Sequence, residues 1–92
     1  MALSNLSRSI DGLVAVVTGA GSGMGAATAK VFADQGARVA AIDINAEAVQ
    51  GVVDEISAVG KVAHPWALDL ADGQATEALI EEVVEYFGGI DL

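Results

Sequence analysis

Five consecutive apolar residues, Leu13-Val14-Ala15-Val16-Val17, run directly into Thr18-Gly19-Ala20-Gly21-Ser22-Gly23-Met24-Gly25. The run is continuous and does not alternate with polar residues. A strand formed here is therefore buried on both faces, as in a parallel sheet covered by helices. Glycine at every second position from 19 to 25 makes the next segment a tight turn, and a helical pattern opens near Met24. Strand, glycine-rich turn and helix, in that order, restrict the chain to α/β architecture. They also make the turn a phosphate-cradling loop. Without those neighbours the same glycines would mean only a flexible turn.

The remaining sequence repeats the unit. In the first helix Met24, Ala27, Thr28, Val31, Phe32 and Gln35 share one face at helical spacing, with Lys30 and Asp34 opposite, and Gly36 ends it. Arg38 to Ile42 predicts a second strand closed by Asp43. Asn45 suits the N-cap of a second helix whose apolar face is Val49, Val52, Val53, Ile56 and Val59, stopped by Gly60. Val62 to Leu68 predicts a third strand ending at Asp69; Pro65 inside it cannot donate to a ladder, which predicts an edge strand. Asp72 caps a third helix with the stripe Leu79, Ile80, Val83, Val84 and Phe87, ended by Gly88-Gly89. Ile90-Asp91-Leu92 then begins a fourth strand. The expected fold is an α/β Rossmann-type three-layer structure with a parallel sheet.

Composition excludes several functions. At 92 residues the chain is one small domain at most, marginal on its own. A net charge of -9 repels a nucleic-acid backbone. There is no cysteine, and His64 is the single histidine, so no thiolate or histidine metal cluster is expected. No apolar run reaches the roughly 18 residues of a membrane span. Residues 1–10 have the single basic residue Arg8 and no apolar core, unlike a secretory signal. The expectation is a cytoplasmic protein without nucleic-acid or membrane partners, with residues 1–11 as a flexible lead-in and 12–92 as the folded half-domain.

The glycine spacing narrows the loop's chemistry. A nucleoside-triphosphate P-loop needs Lys and Ser/Thr after its last glycine, and neither is present. The dinucleotide pattern G-x-G-x-x-G fails from Gly19, because position 24 is Met24, and from Gly21 it meets Ala26 deep in the helix. The spacing that fits is Thr-Gly-x-x-x-Gly-x-Gly, at Thr18, Gly19, Gly23 and Gly25. In this the chain resembles the short-chain dehydrogenase/reductase family. A second feature is Asp43 at the end of strand two, where a carboxylate can accept from both ribose hydroxyls of an adenosine and repels a 2′-phosphate.

The resemblance implies a cofactor site made of Gly19, Gly21, Ser22, Gly23, Met24 and Gly25 around the pyrophosphate. Asp43 and Ile44 would lie at the ribose, and Asp69 and the backbone of Leu70 at the adenine. Ser22 stands where NADP-preferring relatives often carry Arg or Lys, so the implied cofactor is NAD rather than NADP. It also implies strand order 3-2-1-4, the first two helices on one face and the third on the other.

The family's catalytic Asn, Ser, Tyr and Lys have no counterparts here. Tyr86 is followed four positions later by Ile90, not by the lysine of Tyr-x-x-x-Lys. The catalytic set is therefore none. The expectation is the NAD-binding half of an oxidoreductase for alcohol or carbonyl substrates, truncated at the start of strand four and inactive alone. It should be weakly stable or self-associating because strand one keeps an almost unpaired edge. The full-length parent is expected to be a homo-oligomer. Two alternatives are a stand-alone, non-catalytic nucleotide-binding or interaction module, and a methyltransferase-type glycine loop with Asp43 on the ribose of S-adenosylmethionine. His64 and Trp66, two apart on strand three, are expected to pack as a pair covering the edge.

Overall fold

A computed structural model describes residues 10–92; the expected lead-in lies mostly outside these described residues. The elements are β1 (Val14–Thr18), α1 (Gly23–Asp34), β2 (Arg38–Asp43), α2 (Ala46–Ala58), β3 (Ala63–Ala67) and α3 (Gly73–Phe87). All three strands are parallel, in the order β1-β2-β3. Val14 stands opposite Arg38, and Val39 opposite Ala63. Central β2 is the most buried strand, with Val39, Ala40, Ala41 and Ile42 all at 0% exposure. That burial on both faces is why its sequence, like that of β1, shows no alternation. β3, which contains Pro65, lies at the edge.

Side chains of alternate direction build two cores. On one face Val17, Val39 and Ala41 pack with Ala26, Ala29 and Ala33 of α1 and Val49, Val52, Val53 and Ile56 of α2. On the other, Val14, Ala40 and Ile42 pack with Leu79, Val83 and Phe87 of α3. The chain steps from β1 to β2 to β3 in one direction across the sheet, which puts the two connecting helices on the same face. After β3 it turns back past β1, so α3 covers the opposite face.

The return is visible in hydrogen bonds at the far edge of β1. Leu92 N donates to Val14 O at 3.0 Å and Val16 N donates to Leu92 O at 2.9 Å. One residue bonded to positions 14 and 16 is the parallel pattern. The Asp91 carboxylate also accepts from Val14 N at 2.8 Å. The sheet itself has the three strands β1-β2-β3, and residues 90–92 do not form a strand of their own; their contacts with β1 fit the expected order 3-2-1-4. They also cover the start of the edge that the sequence leaves open.

Caps follow the sequence closely. Asn45 Oδ1 accepts from Ala48 N at 3.0 Å, and Asp72 Oδ1 accepts from Gln74 N and Ala75 N at 3.0 and 3.2 Å. Gly88, with φ 90°, ends α3 in the left-handed conformation that glycine adopts without strain.

The apolar faces of the helices need correction. In α1, Met24 is 86% and Val31 56% exposed, while Ala26, Ala29 and Ala33 are buried. The start of α1 is pressed onto the end of β1: a Cβ on Gly25 would stand 2.0 Å from the Gly19 carbonyl oxygen. A helix held that close has room for alanine on its inner face and turns Met24 and Val31 outward, while Phe32, further along, packs partly buried against the core. Ile80, Val84 and Val59 likewise lie outside the packed stripes, at 49%, 44% and 71% exposure.

Candidate functional site

The glycine loop joins the C-terminal end of β1 to the N-terminus of α1. Gly19 and Gly23 have φ of +63° and +59°, values that side-chain-bearing residues rarely adopt, and a Cβ on either would meet nothing within 4 Å. At these two positions the demand is conformational. At Gly21 and Gly25 it is spatial. A Cβ on Gly21 would come within 2.8 Å of both Ala48 Cβ and Asp43 Oδ2, and one on Gly25 would collide with the Gly19 backbone. Ala20, fully buried, donates its N–H to Ile42 O at 2.9 Å and fastens the loop to β2.

Ser22 is the N-cap of α1 in extended conformation, but its side chain makes no capping hydrogen bond, and the first turn holds no acidic residue. The other two helices differ, since Asn45 and Asp72 fill their N-termini. Helix N-termini present N–H groups without intrahelical partners and a partial positive charge. Among the three described helices only α1 has that end left without a side-chain acceptor, next to glycines that let an anion approach.

Asp43 sits beside this loop. Its Oδ2 accepts from Gly21 N at 2.8 Å and its Oδ1 from Asn45 N at 2.9 Å. These bonds, Asn45's foremost and Gly21's next, hold its carboxyl below the ordinary value of 3.8. The aspartate is thus a fixed anion at neutral pH, and each oxygen keeps a lone pair for a further donor. The bond to Gly21 is not legible in the sequence. It joins two motifs 22 residues apart, and its only signal is the absence of a side chain at Gly21.

A cavity of about 230 Å³ opens at the C-terminal ends of the strands, lined by Gly19, Ile42, Asp43, Ile44, Leu68, Asp69 and Leu70. It brings together the predicted residues of all three strand ends. Ile44 and Leu70 are 70% and 40% exposed and give it apolar walls. Asp69 forms a turn in which its Oδ1 accepts from Ala71 N at 2.9 Å. Thr76 Oγ1 donates to Leu70 O at 3.2 Å and pins the segment to α3, a contact the sequence analysis missed. Ser22 and Met24 do not line this cavity; both are exposed at the α1 end of the loop.

The described basic residues stand elsewhere. Lys30 pairs with Glu55, Arg38 donates to the Gly12 and Phe87 carbonyls, and Lys61 lies with Lys30 at a cavity between α1 and α2. Among the described residues no group of His, Cys, Asp and Glu could hold a metal ion, and no helix is long and apolar enough to cross a membrane. Tyr86 packs against His64 and Phe87 at centroid distances of 4.2 and 4.8 Å.

A profile of the family described as short chain dehydrogenase matches residues 13–92. The chain is similar to D-threitol dehydrogenase of Mycolicibacterium smegmatis, 41% identical over 83 residues covering 90% of this chain and 32% of that protein. It is similar to cyclohexanol dehydrogenase of an Acinetobacter species, 42% identical over 87 residues covering 95% and 35%. The fold matches the crystal structure of a hydroxysteroid dehydrogenase from Escherichia coli, with TM-score 0.87 and 40% identity over 89% of this chain and 35% of that one. It also matches a metagenomic short-chain oxidoreductase in complex with NADP, with TM-score 0.86 and 39% identity over 91% and 38%. The chain spans about a third of the length of these relatives.

Proposed function

The chain belongs to the short chain dehydrogenase family, and on that premise we propose that its strand-end site binds a nicotinamide adenine dinucleotide, NAD in preference to NADP. The pyrophosphate lies at the uncapped N-terminus of α1, against the backbone of Gly19, Gly21, Ser22, Gly23 and Gly25, with the exposed Met24 side chain alongside. Asp43 accepts from the adenosine ribose hydroxyls. The adenine enters the cavity between Ile44 and Leu70, where the second Asp69 oxygen accepts from its amino group and Leu70 N–H donates to its ring. The observation that carries this proposal is the juxtaposition of the α1 N-terminus, free of any side-chain acceptor, with the hydrogen-bonded Asp43 anion.

Preference for NAD rests on charge. A 2′-phosphate would meet the Asp43 carboxylate, and no described basic side chain lines the site to offset it. Bound NAD supplies a hydride acceptor, and NADH a hydride donor. In the whole protein this segment holds the adenosine and pyrophosphate, so that the nicotinamide reaches an alcohol or carbonyl substrate placed by residues outside this chain. Assembly of the whole protein as a homo-oligomer, and a cytoplasmic location where dissolved dinucleotide is at hand, belong to the same proposal.

Calorimetric titration of NAD and NADP into the protein and its Asp43→Ala variant tests it. NAD should bind more tightly than NADP. The variant should lose about tenfold or more in NAD affinity, the scale of hydrogen bonds to a charged group. Absence of binding by either dinucleotide, or tighter NADP binding by the unaltered protein, overturns the proposal.

A further inference from the structure

A second cluster of chemistry-bearing side chains lies away from the dinucleotide site. On edge strand β3, His64 and Trp66 point to the face covered by α3, and Tyr86 of α3 closes over them. The His64 ring centroid is 4.5 Å from that of Trp66 and 4.2 Å from that of Tyr86, while the Trp66 and Tyr86 rings stand edge to face at 5.9 Å. With Glu82 and Glu85 they line a cavity of about 460 Å³ that is open to solvent.

The core of this face accounts for only part of the cluster: Trp66 packs half-buried against it, its ring centroid 6.2 Å from that of Phe87. Leu79, Val83 and Phe87 supply the buried contacts of α3, whereas Tyr86 is 57% exposed. The imidazole is held by ring contacts, since its buried Nδ1 has no hydrogen-bond partner among the described residues. Glu82 and Glu85 have no ion-pair partner among the described residues, where the single salt bridge is Lys30–Glu55. The nearby Arg38 guanidinium is already committed to the Gly12 and Phe87 carbonyls.

Aromatic faces carry the negative part of the ring quadrupole and attract cations, most strongly at Trp. Two carboxylates on the same wall, in a chain of net charge -9, add to that potential. A metal ion suits such walls poorly, because it needs several convergent oxygen or nitrogen ligands. We propose that this cavity binds an organic cation, an alkylammonium or guanidinium head group, against Trp66 and Tyr86 with Glu82 and Glu85 as counter-charges. The head group can belong to a free small molecule or to an arginine side chain of another protein.

Trp66 is the only tryptophan in the sequence, so its fluorescence reports on the cavity directly. The full chain is titrated at low salt with tetramethylammonium, with N-acetyl-arginine amide, and with 3,3-dimethyl-1-butanol as a neutral probe of similar shape. Saturable change with either cation and none with the alcohol supports the site. A response to tetramethylammonium alone assigns it to free quaternary cations, and one to the arginine derivative alone assigns it to a side chain. Glu82→Gln with Glu85→Gln should weaken binding by up to about fivefold per carboxylate. Tyr86→Leu, at an exposed position, should weaken it by about threefold to thirtyfold. Neither change should alter dinucleotide binding. An equal response to the alcohol, no response to either cation, or unchanged affinity in both variants overturns the proposal.

Discussion

Replacing Gly25 by alanine and replacing Gly51 by alanine are the same chemical change in two helices, and they should have opposite effects. Gly51 lies within α2 with nothing within 4 Å of a built Cβ. Alanine there lowers the backbone entropy of the unfolded chain without strain, which stabilises by about 0.5–1 kcal/mol. Gly25 lies in the first turn of α1, where the new Cβ would stand 2.0 Å from Gly19 O, 2.5 Å from Gly19 C and 3.0 Å from Thr18 O. These neighbours are backbone atoms, so no rotamer change relieves the overlap. The helix start must move by about 1.5 Å to restore ordinary contact. Overpacking of this kind costs about 1–3 kcal/mol, offset by at most about 1 kcal/mol of helix propensity. Gly25→Ala should therefore destabilise by about 1–2 kcal/mol, and in a domain of this size each kcal/mol moves Tm by roughly 4–8 °C. Urea titrations followed by far-ultraviolet circular dichroism supply the midpoints, with equal slopes required for the comparison. If Gly25→Ala raises the midpoint as Gly51→Ala does, the close approach of α1 to the end of β1 is wrong, and with it the account of why α1 turns alanines inward.

Three further outcomes are expected. The Asp43 carboxyl titrates below its ordinary value in the folded chain, so its contribution to stability is fully present above pH 3.8 and is lost as pH falls through the depressed value. The Asp43→Asn variant should show a shallower loss of stability below that pH, measured by thermal unfolding across an acid series; curves of equal steepness would contradict it. Ser22→Arg places a cation at the exposed N-cap of α1 and should raise NADP affinity relative to NAD, measured as the ratio of the two dissociation constants. Asp72→Ala removes the acceptor for two N–H groups at the start of α3 and should cost about 1 kcal/mol, read from the urea midpoint.

Much of the fold is written in local signals. The unbroken apolar runs of β1 and β2, the caps Asn45 and Asp72 and the glycines at 36, 60 and 88 each act within a few residues, and each element forms where they place it. Pro65 marks the edge strand because a missing N–H has the same consequence in any context. The helix faces were less legible. α1 is apolar nearly all round, so its spacing does not select a face, and the inward face was decided by how closely the helix approaches the sheet. On α3 the broad stripe includes Ile80 and Val84, but the narrow contact with β1 and β2 buries only Leu79, Val83 and Phe87.

The sequence by itself determined the glycine spacing and the aspartates at two strand ends, and these sufficed to point to the family. Those features depend on residue type and on distance along the chain, which a sequence states directly. Only the tertiary structure decided that Gly21 donates to Asp43, that α1 alone among the three described helices lacks a side-chain cap, and that Leu92 pairs beside β1. It also gathered His64, Trp66, Tyr86 and two glutamates around one cavity. Each of these joins segments far apart along the chain, and it is the packing of helices onto a parallel sheet that brings such segments within contact distance.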